Sequence, residues 1–211
     1  MSARTRVSVT AVFAVLAISS VALAGCKSAS AGSATETATP TPTVTASPTV
    51  SPSADAAPPS GQFALPATCQ DAYSIGMLAS LSNENPPLND PGFSLRSTQN
   101  VTGLELLDSG IPTLNCTWGV AGQRGLATSV AQISESDSDR MMTALEATGF
   151  VCEAHGEGTI CTYSEKTVNR DDEIVELGES HYFRSTGWVA TSWINFFPEG
   201  YTEDIAATVW G

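Results

Sequence analysis

Gly187-Trp188-Val189-Ala190-Thr191-Ser192-Trp193-Ile194-Asn195-Phe196-Phe197 is the most strand-like run in the sequence, rich in β-branched and aromatic residues and closed by Pro198-Glu199-Gly200. Alternation places Trp188, Ala190, Ile194 and Phe196 on one face and Val189, Trp193 and Phe197 on the other. Apolar side chains on both faces imply a central strand covered on each side. The alternative is that one face lines an aromatic groove, which makes Trp188, Trp193 and Phe197 candidate ligand contacts.

Working outward, residues 150–154 and 159–163 read as strands about His155-Gly156-Glu157-Gly158. A two-residue turn at Gly156-Glu157 sets Cys152 opposite Cys161 at a non-hydrogen-bonded pair, where side chains approach most closely. Residues 113–120 and 126–133 form a second strand pair, joined through Gly122-Gln123-Arg124-Gly125. Residues 174–177 and 180–183 flank Gly178-Glu179 either as two strands or as one strand with a bulge. Residues 91–103 read as loop and Leu104-Glu105-Leu106-Leu107 as a short strand.

Three helices are expected. Thr68 is placed to cap the first, whose apolar positions Cys69, Ala72, Ile75, Gly76, Leu78 and Ala79 recur at three- and four-residue spacing until Leu81, before the helix-breaking stretch 83–87. Ser136-Asp137-Ser138-Asp139 has the alternate acids that open a calcium loop, but not that loop's central glycine or closing glutamate. As a helix start it is more complete: Ser136 and Asp139 make a capping box, Met141, Met142 and Leu145 follow as a core face, and Gly149 as a stop. Thr202, with Glu203 and Asp204 in the first turn, opens a last helix whose Ile205 and Val209 face inward. These elements predict an α+β domain: one antiparallel sheet of about five to seven strands, about three helices packed against it, and two disulfides.

The chain has five cysteines, of which Cys69, Cys116, Cys152 and Cys161 fall in the domain. Three pairings of four thiols are possible. The hairpin register selects Cys152–Cys161, and Cys69–Cys116 follows by elimination, tying the opening helix to the strand that carries Cys116. A zinc site is the alternative, but two well-separated histidines and the lack of Cys-x-x-Cys argue against it.

Residues 63–211 carry six basic side chains against twenty acidic ones. This balance disfavours nucleic acid, whose phosphates need clustered Lys and Arg, and disfavours adhesion to anionic headgroups. The acidic run Asn169-Arg170-Asp171-Asp172-Glu173 reads as a solvated turn, with cation binding as the sharper alternative.

The N-terminal part is of a different kind. Arg4 and Arg6 precede an uncharged apolar run from Val7 to Leu23, the pattern of a secretory leader over residues 1–25. Residues 26–62 are rich in Ser, Thr, Ala and Pro, with Thr39-Pro40, Thr41-Pro42, Ser47-Pro48 and Ser51-Pro52 steps. Such a stretch buries too little surface to offset about 1–2 kcal/mol of backbone entropy per residue, which predicts a disordered tether or an O-glycosylated stalk. Its reach runs from roughly 30 Å as a coil to on the order of 100 Å fully extended.

Leu23-Ala24-Gly25-Cys26 resembles the lipobox of bacterial lipoproteins, in which a branched apolar residue and two small residues precede a cysteine that receives a diacylglyceryl group. The resemblance implies lipidation of Cys26 with palmitate-type chains, cleavage before it, and a membrane-anchored product on the extracytoplasmic face. An ordinary cut after Ala22-Leu23-Ala24 is the alternative; it leaves Cys26 as an odd free thiol, whereas lipidation leaves four. Two acyl chains at about 0.8 kcal/mol per buried methylene hold a protein far more firmly than one. Lipobox, Thr/Pro tether and small acidic domain with Cys116-Thr117-Trp118 together resemble lipobox surface lipoproteins of the actinobacterial type, a resemblance that carries over no functional residue.

Three functions stay open. The first is a cell-envelope binding module with a groove near Trp188, Trp193 and Phe197 for a small apolar molecule, a cell-wall component or a partner protein. The second is an accessory subunit read by another envelope protein. The third is an envelope hydrolase or other enzyme built on His155 or His181, the only histidines, in a chain without a Gly-x-Ser-x-Gly motif. No cofactor is expected.

Overall fold

The computed structural model describes residues 61–211; the leader, Cys26 and nearly all of the tether lie outside them. The Trp-rich run forms β6, Gly187–Ile194, and seven of its eight residues are buried. It is central in a six-stranded antiparallel sheet of order β1-β2-β6-β5-β4-β3, where β1 is Thr113–Gly119, β2 Gly125–Gln132, β3 Val151–His155, β4 Gly158–Val168 and β5 Ile174–Arg184. Strands β3 to β6 form a meander, and β6 returns beside β2 to join it to the β1–β2 hairpin. The expected single sheet and α+β class are what the chain forms.

Four helices pack on it: α1, Ile75–Glu84; α2, Val101–Asp108; α3, Glu135–Ala147; and α4, Tyr201–Trp210. They lie on both faces. Leu81 of α1 and Ile205 and Val209 of α4 join Trp118, Leu126, Val130, Val189 and Trp193 in one core. Leu106 of α2 and Met141 and Leu145 of α3 join Ala131, Phe183, Trp188 and Ala190 in the other. The alternation of β6 therefore feeds two cores, which is why the strand is apolar on both sides. Phe196 departs from that alternation: the strand ends at Ile194, Asn195 takes a positive φ of 50°, and Phe196 turns into the core that holds Trp193. Among the described residues no helix is long and apolar enough to cross a membrane.

Both disulfides form as expected. Cys152 stands directly opposite Cys161 in the β3–β4 register, their Cα atoms 3.9 Å apart. Cys69 joins Cys116 of β1 across 47 positions.

The helix starts differ from the sequence reading. Thr68 does not cap α1; its hydroxyl and amide both bind the Asp71 carboxylate in a single 3-10 turn, Gln70–Ala72, and Tyr73 is extended. The cap is Ser74, whose hydroxyl accepts from Met77 N, and Ile75 is left 90% exposed. Periodicity alone carried the helix through a break that only the second cap reveals. At α3 the cap is Ser134, not Ser136: its oxygen accepts from Asp137 N and donates to the Asp137 carboxylate. With Arg140 also bonding it, the Asp137 carboxyl is held below the usual carboxylate range. Leu104-Glu105-Leu106-Leu107 is helix, not strand, because Asn100 caps α2 by accepting from Thr102 N and Gly103 N. Gly103 then allows the helix close to the sheet, since a β-carbon there would lie within 3.4 Å of Thr98, Met141 and Trp188.

Residues 174–184 form one strand, in continuous register with β4 and β6, and Gly178 is not a bulge. It is opposite Trp193, whose indole lies against it; a β-carbon at Gly178 would be 2.4 Å from Trp193 Cζ2 and 2.5 Å from the Tyr163 carbonyl oxygen. The backbone cannot yield as a flexible side chain can, so Gly178→Ala is expected to cost about 1–3 kcal/mol. Gly122→Ala, in the open β1–β2 loop with its nearest contact at 3.9 Å, is expected to stay within about 0.5 kcal/mol. Urea unfolding of the two variants checks this, and equal midpoints would show that the indole does not need the glycine.

Candidate functional site

On the face covered by α2 and α3, inward parity along β5 selects Glu179, His181 and Phe183. A carboxylate and an imidazole at core positions need partners, and the chain supplies them from 80 residues away. Thr98 Oγ1 donates to Glu179 Oε2 at 2.7 Å and the Gln99 amide donates to Oε1 at 2.7 Å. His181 Nε2 lies 3.1 Å from Glu179 Oε2, and Trp188 Nε1 lies 3.2 Å from His181 Nδ1. An indole N–H can only donate, so Nδ1 is an acceptor and the proton sits on Nε2, pointing at Glu179. The result is a four-member chain, Trp188 to His181 to Glu179 with Thr98 on the same oxygen.

The fully buried imidazole lies beside the near-parallel rings of Phe183 and Trp188, the three centroids about 6 Å from one another, with Phe150 edge-on. Burial holds His181 below the usual histidine range, against the upward pull of Glu179. Burial also pushes the Glu179 carboxyl upward, but bonds from His181, Thr98 and Gln99 outweigh it and hold the group below its ordinary value. The pair is therefore a neutral imidazole beside an ionised carboxylate.

Glu179 is also part of the lining of a groove of about 520 Å³ between the start of α2 and the end of α3. Its walls are Val101 and Thr102 of α2, Ala144 and Ala147 of α3, and the rings of Phe150 and Tyr163. Asn100 holds its two helical sides together, its amide donating to the Ala144 carbonyl and Thr148 hydroxyl at 3.3 Å each. Tyr163 of β4 is the direct register partner of Glu179, and its ring centroid is 5.5 Å from that of Phe150. An aromatic wall thus stands beside the carboxylate. A second, smaller cavity of about 200 Å³ lies under loop 95–97 against β1 and β2, where the exposed Arg96–Asp108 ion pair is part of its lining.

The candidate contacts read from the sequence are not brought into one groove. Trp188 is fully buried in the α2/α3 core, while Trp193 is 8% exposed in the opposite one. Phe197 stacks on Trp193 with ring centroids 4.0 Å apart and remains 38% exposed. The histidines are also apart: His155, at the end of β3, lies 3.8 Å from Glu203 of α4 and edge-on to Tyr182. His181 has both ring nitrogens engaged and no exposed surface, so neither nitrogen is free to take a proton from a substrate.

On the α4 face a chain of hydroxyls runs Tyr73, Tyr201, Thr128, Thr191, with oxygens 2.7–3.0 Å apart. Burial pushes the Tyr201 phenol well above its ordinary range, so this chain stays neutral and stitches α4 to the sheet. Among the described residues no group of three or more His, Cys, Asp or Glu is placed to hold a metal ion. No protein-family model, curated protein or solved structure matches the chain.

Proposed function

We propose that this chain is a lipid-anchored, extracytoplasmic binding module of the cell envelope, and that its ligand site is the groove between α2 and α3. The observation that carries the reading is the ionised, buried carboxylate of Glu179 in the lining of an otherwise largely apolar and aromatic groove of about 520 Å³. Size and lining are those of small-molecule sites, where a few fixed polar groups orient an apolar ligand. The anchor rests on the leader and on Leu23-Ala24-Gly25-Cys26. An oxidising compartment agrees with the two cystines.

The two halves are tested separately. Cells expressing the full chain are labelled with an alkyne analogue of palmitate; label on the protein that disappears with Cys26→Ser supports the anchor, and an unlabelled membrane-free product removes it. For the groove, the purified domain is titrated with Nile red, a neutral apolar dye. Saturable binding that is lost in Ala144→Trp, which fills the space without touching Glu179, supports the site. Absence of binding, together with a specific partner recovered by crosslinking on intact cells, would favour the accessory-subunit reading instead.

A further inference from the structure

Glu179 is a charge without a counter-charge. Among the described residues the Arg and Lys ion pairs are Arg96–Asp108, Arg140–Asp137, Lys166–Glu176 and Arg184–Glu157, none of which involves it. Its own partners, Thr98, the Gln99 amide and His181, are neutral donors. The residue is only 7% exposed. Burying a carboxylate with dipoles alone is costly, and natural folds normally place a cation or a metal against such a group.

Hydrogen-bond capacity is also left over. A carboxylate oxygen accepts two bonds, and Oε1 receives one, from Gln99. No Arg, Lys or His is among the groove-lining residues. The groove's aromatic lining is Tyr163, the cross-strand register partner of Glu179, and Phe150, whose ring packs against that of Tyr163. A desolvated anion next to aromatic rings attracts one kind of ligand head twice over, once through the carboxylate and once through the ring quadrupoles. The alanines and Val101 on the helical sides suit an apolar body behind that head.

We infer that the groove takes an organic cation, an amine or quaternary ammonium carrying an apolar or aryl chain, with Glu179 as its counter-ion and Tyr163 and Phe150 as its aromatic wall. This rests on the groove being the ligand site, as proposed above. The cation supplies the charge the fold withholds, and the chain from Thr98 to Trp188 keeps the carboxylate ionised and fixed until it arrives.

The test uses the purified disulfide-intact domain and three probes of one shape: 4-phenylbutylamine, 4-phenylbutanol and 4-phenylbutyrate, titrated by calorimetry. The amine is expected to bind at least about tenfold more tightly than the alcohol, and the carboxylate most weakly. Glu179→Gln, which keeps the shape and the bond from Gln99, should bring amine and alcohol to the same affinity. Because that variant alters a buried network, Tyr163→Leu on the wall provides a second reading: it should weaken the amine by several-fold more than the alcohol. Equal binding of amine and alcohol to the native domain, with both displacing Nile red, would overturn the cation while leaving the groove intact. If no probe and no dye binds, both fall together.

Discussion

A Cys69→Ala, Cys116→Ala variant is expected to unfold at a midpoint roughly 8–16 °C below the native domain. The cross-link spans 47 positions, and closing a loop of that length removes about 4 kcal/mol of entropy from the unfolded chain in the loop-entropy treatment. At this domain size each kcal/mol moves the midpoint by about 2–4 °C. Both sulfurs are buried, Cys69 at 5% and Cys116 at 1% exposure. They pin the 3-10 turn Gln70–Ala72 to the edge strand β1, so the variant also loosens how α1 seats on the α4-side core. The Cys152→Ala, Cys161→Ala pair is the internal comparison. Its loop spans 9 positions already closed by the β3–β4 ladder, for which the same treatment gives about 2.6 kcal/mol. Thermal scans of both variants in oxidising buffer decide the matter. A smaller loss from the long loop than from the short one would mean that the 3-10 turn is held by packing rather than by its sulfur bridge.

Trp188→Ala is the second large effect, expected to cost about 3–5 kcal/mol from the emptied core alone. Trp188 is fully buried against Phe183, His181 and Gly103. Truncation also strips the donor from His181 Nδ1, an unsatisfied buried acceptor being a further cost of about 1–3 kcal/mol. Trp188→Phe separates the two, because it keeps most of the ring and loses only the N–H. Its signature is in pH dependence. In the native protein His181 is held neutral, so below about pH 6.5 the unfolded chain binds a proton the folded one does not, and stability falls as the pH falls. In Trp188→Phe the freed Nδ1 can take that proton beside the anionic Glu179, so the stability lost between pH 7 and 5.5 should shrink. Parallel pH profiles for the two proteins would refute the assigned tautomer.

The sheet was legible because its signals are local. Gly156-Glu157 sets the hairpin register, that register pairs Cys152 with Cys161, and the two-sided apolarity of β6 announces a strand covered on both faces. Helix starts were legible only to within their caps. The caps are Ser74 and Ser134 where the sequence offered Thr68 and Ser136, and the helix after Asn100 was missed because Leu104 to Leu107 was read as a strand, without its cap. Gly178 looked like an interruption because nothing local tells that an indole from the next strand needs its space.

The groove was not legible, for a reason of distance. Thr98 bonds Glu179 across 81 positions and Asn100 reaches Thr148 across 48, and each of these residues is ordinary where it stands in the chain. The aromatic residues that drew attention, Trp188 and Trp193, do what large rings most often do and fill cores. One signal was available: Glu179 and His181 share parity with Phe183 in a strand, so two ionisable groups fall on a face that also carries a phenyl ring. A charged residue on the inward face of a buried strand marks either a mistaken assignment or a site.

Trp188 is the end of a hydrogen-bonded chain that begins at the groove lining and passes through one imidazole. A positive charge set against the carboxylate would alter the field along that line and polarise the indole's excited state, although no ligand atom could touch it. The molecule therefore contains its own optical gauge: a change in emission from a tryptophan sealed away from solvent would reveal occupancy at a place the fluorophore never meets.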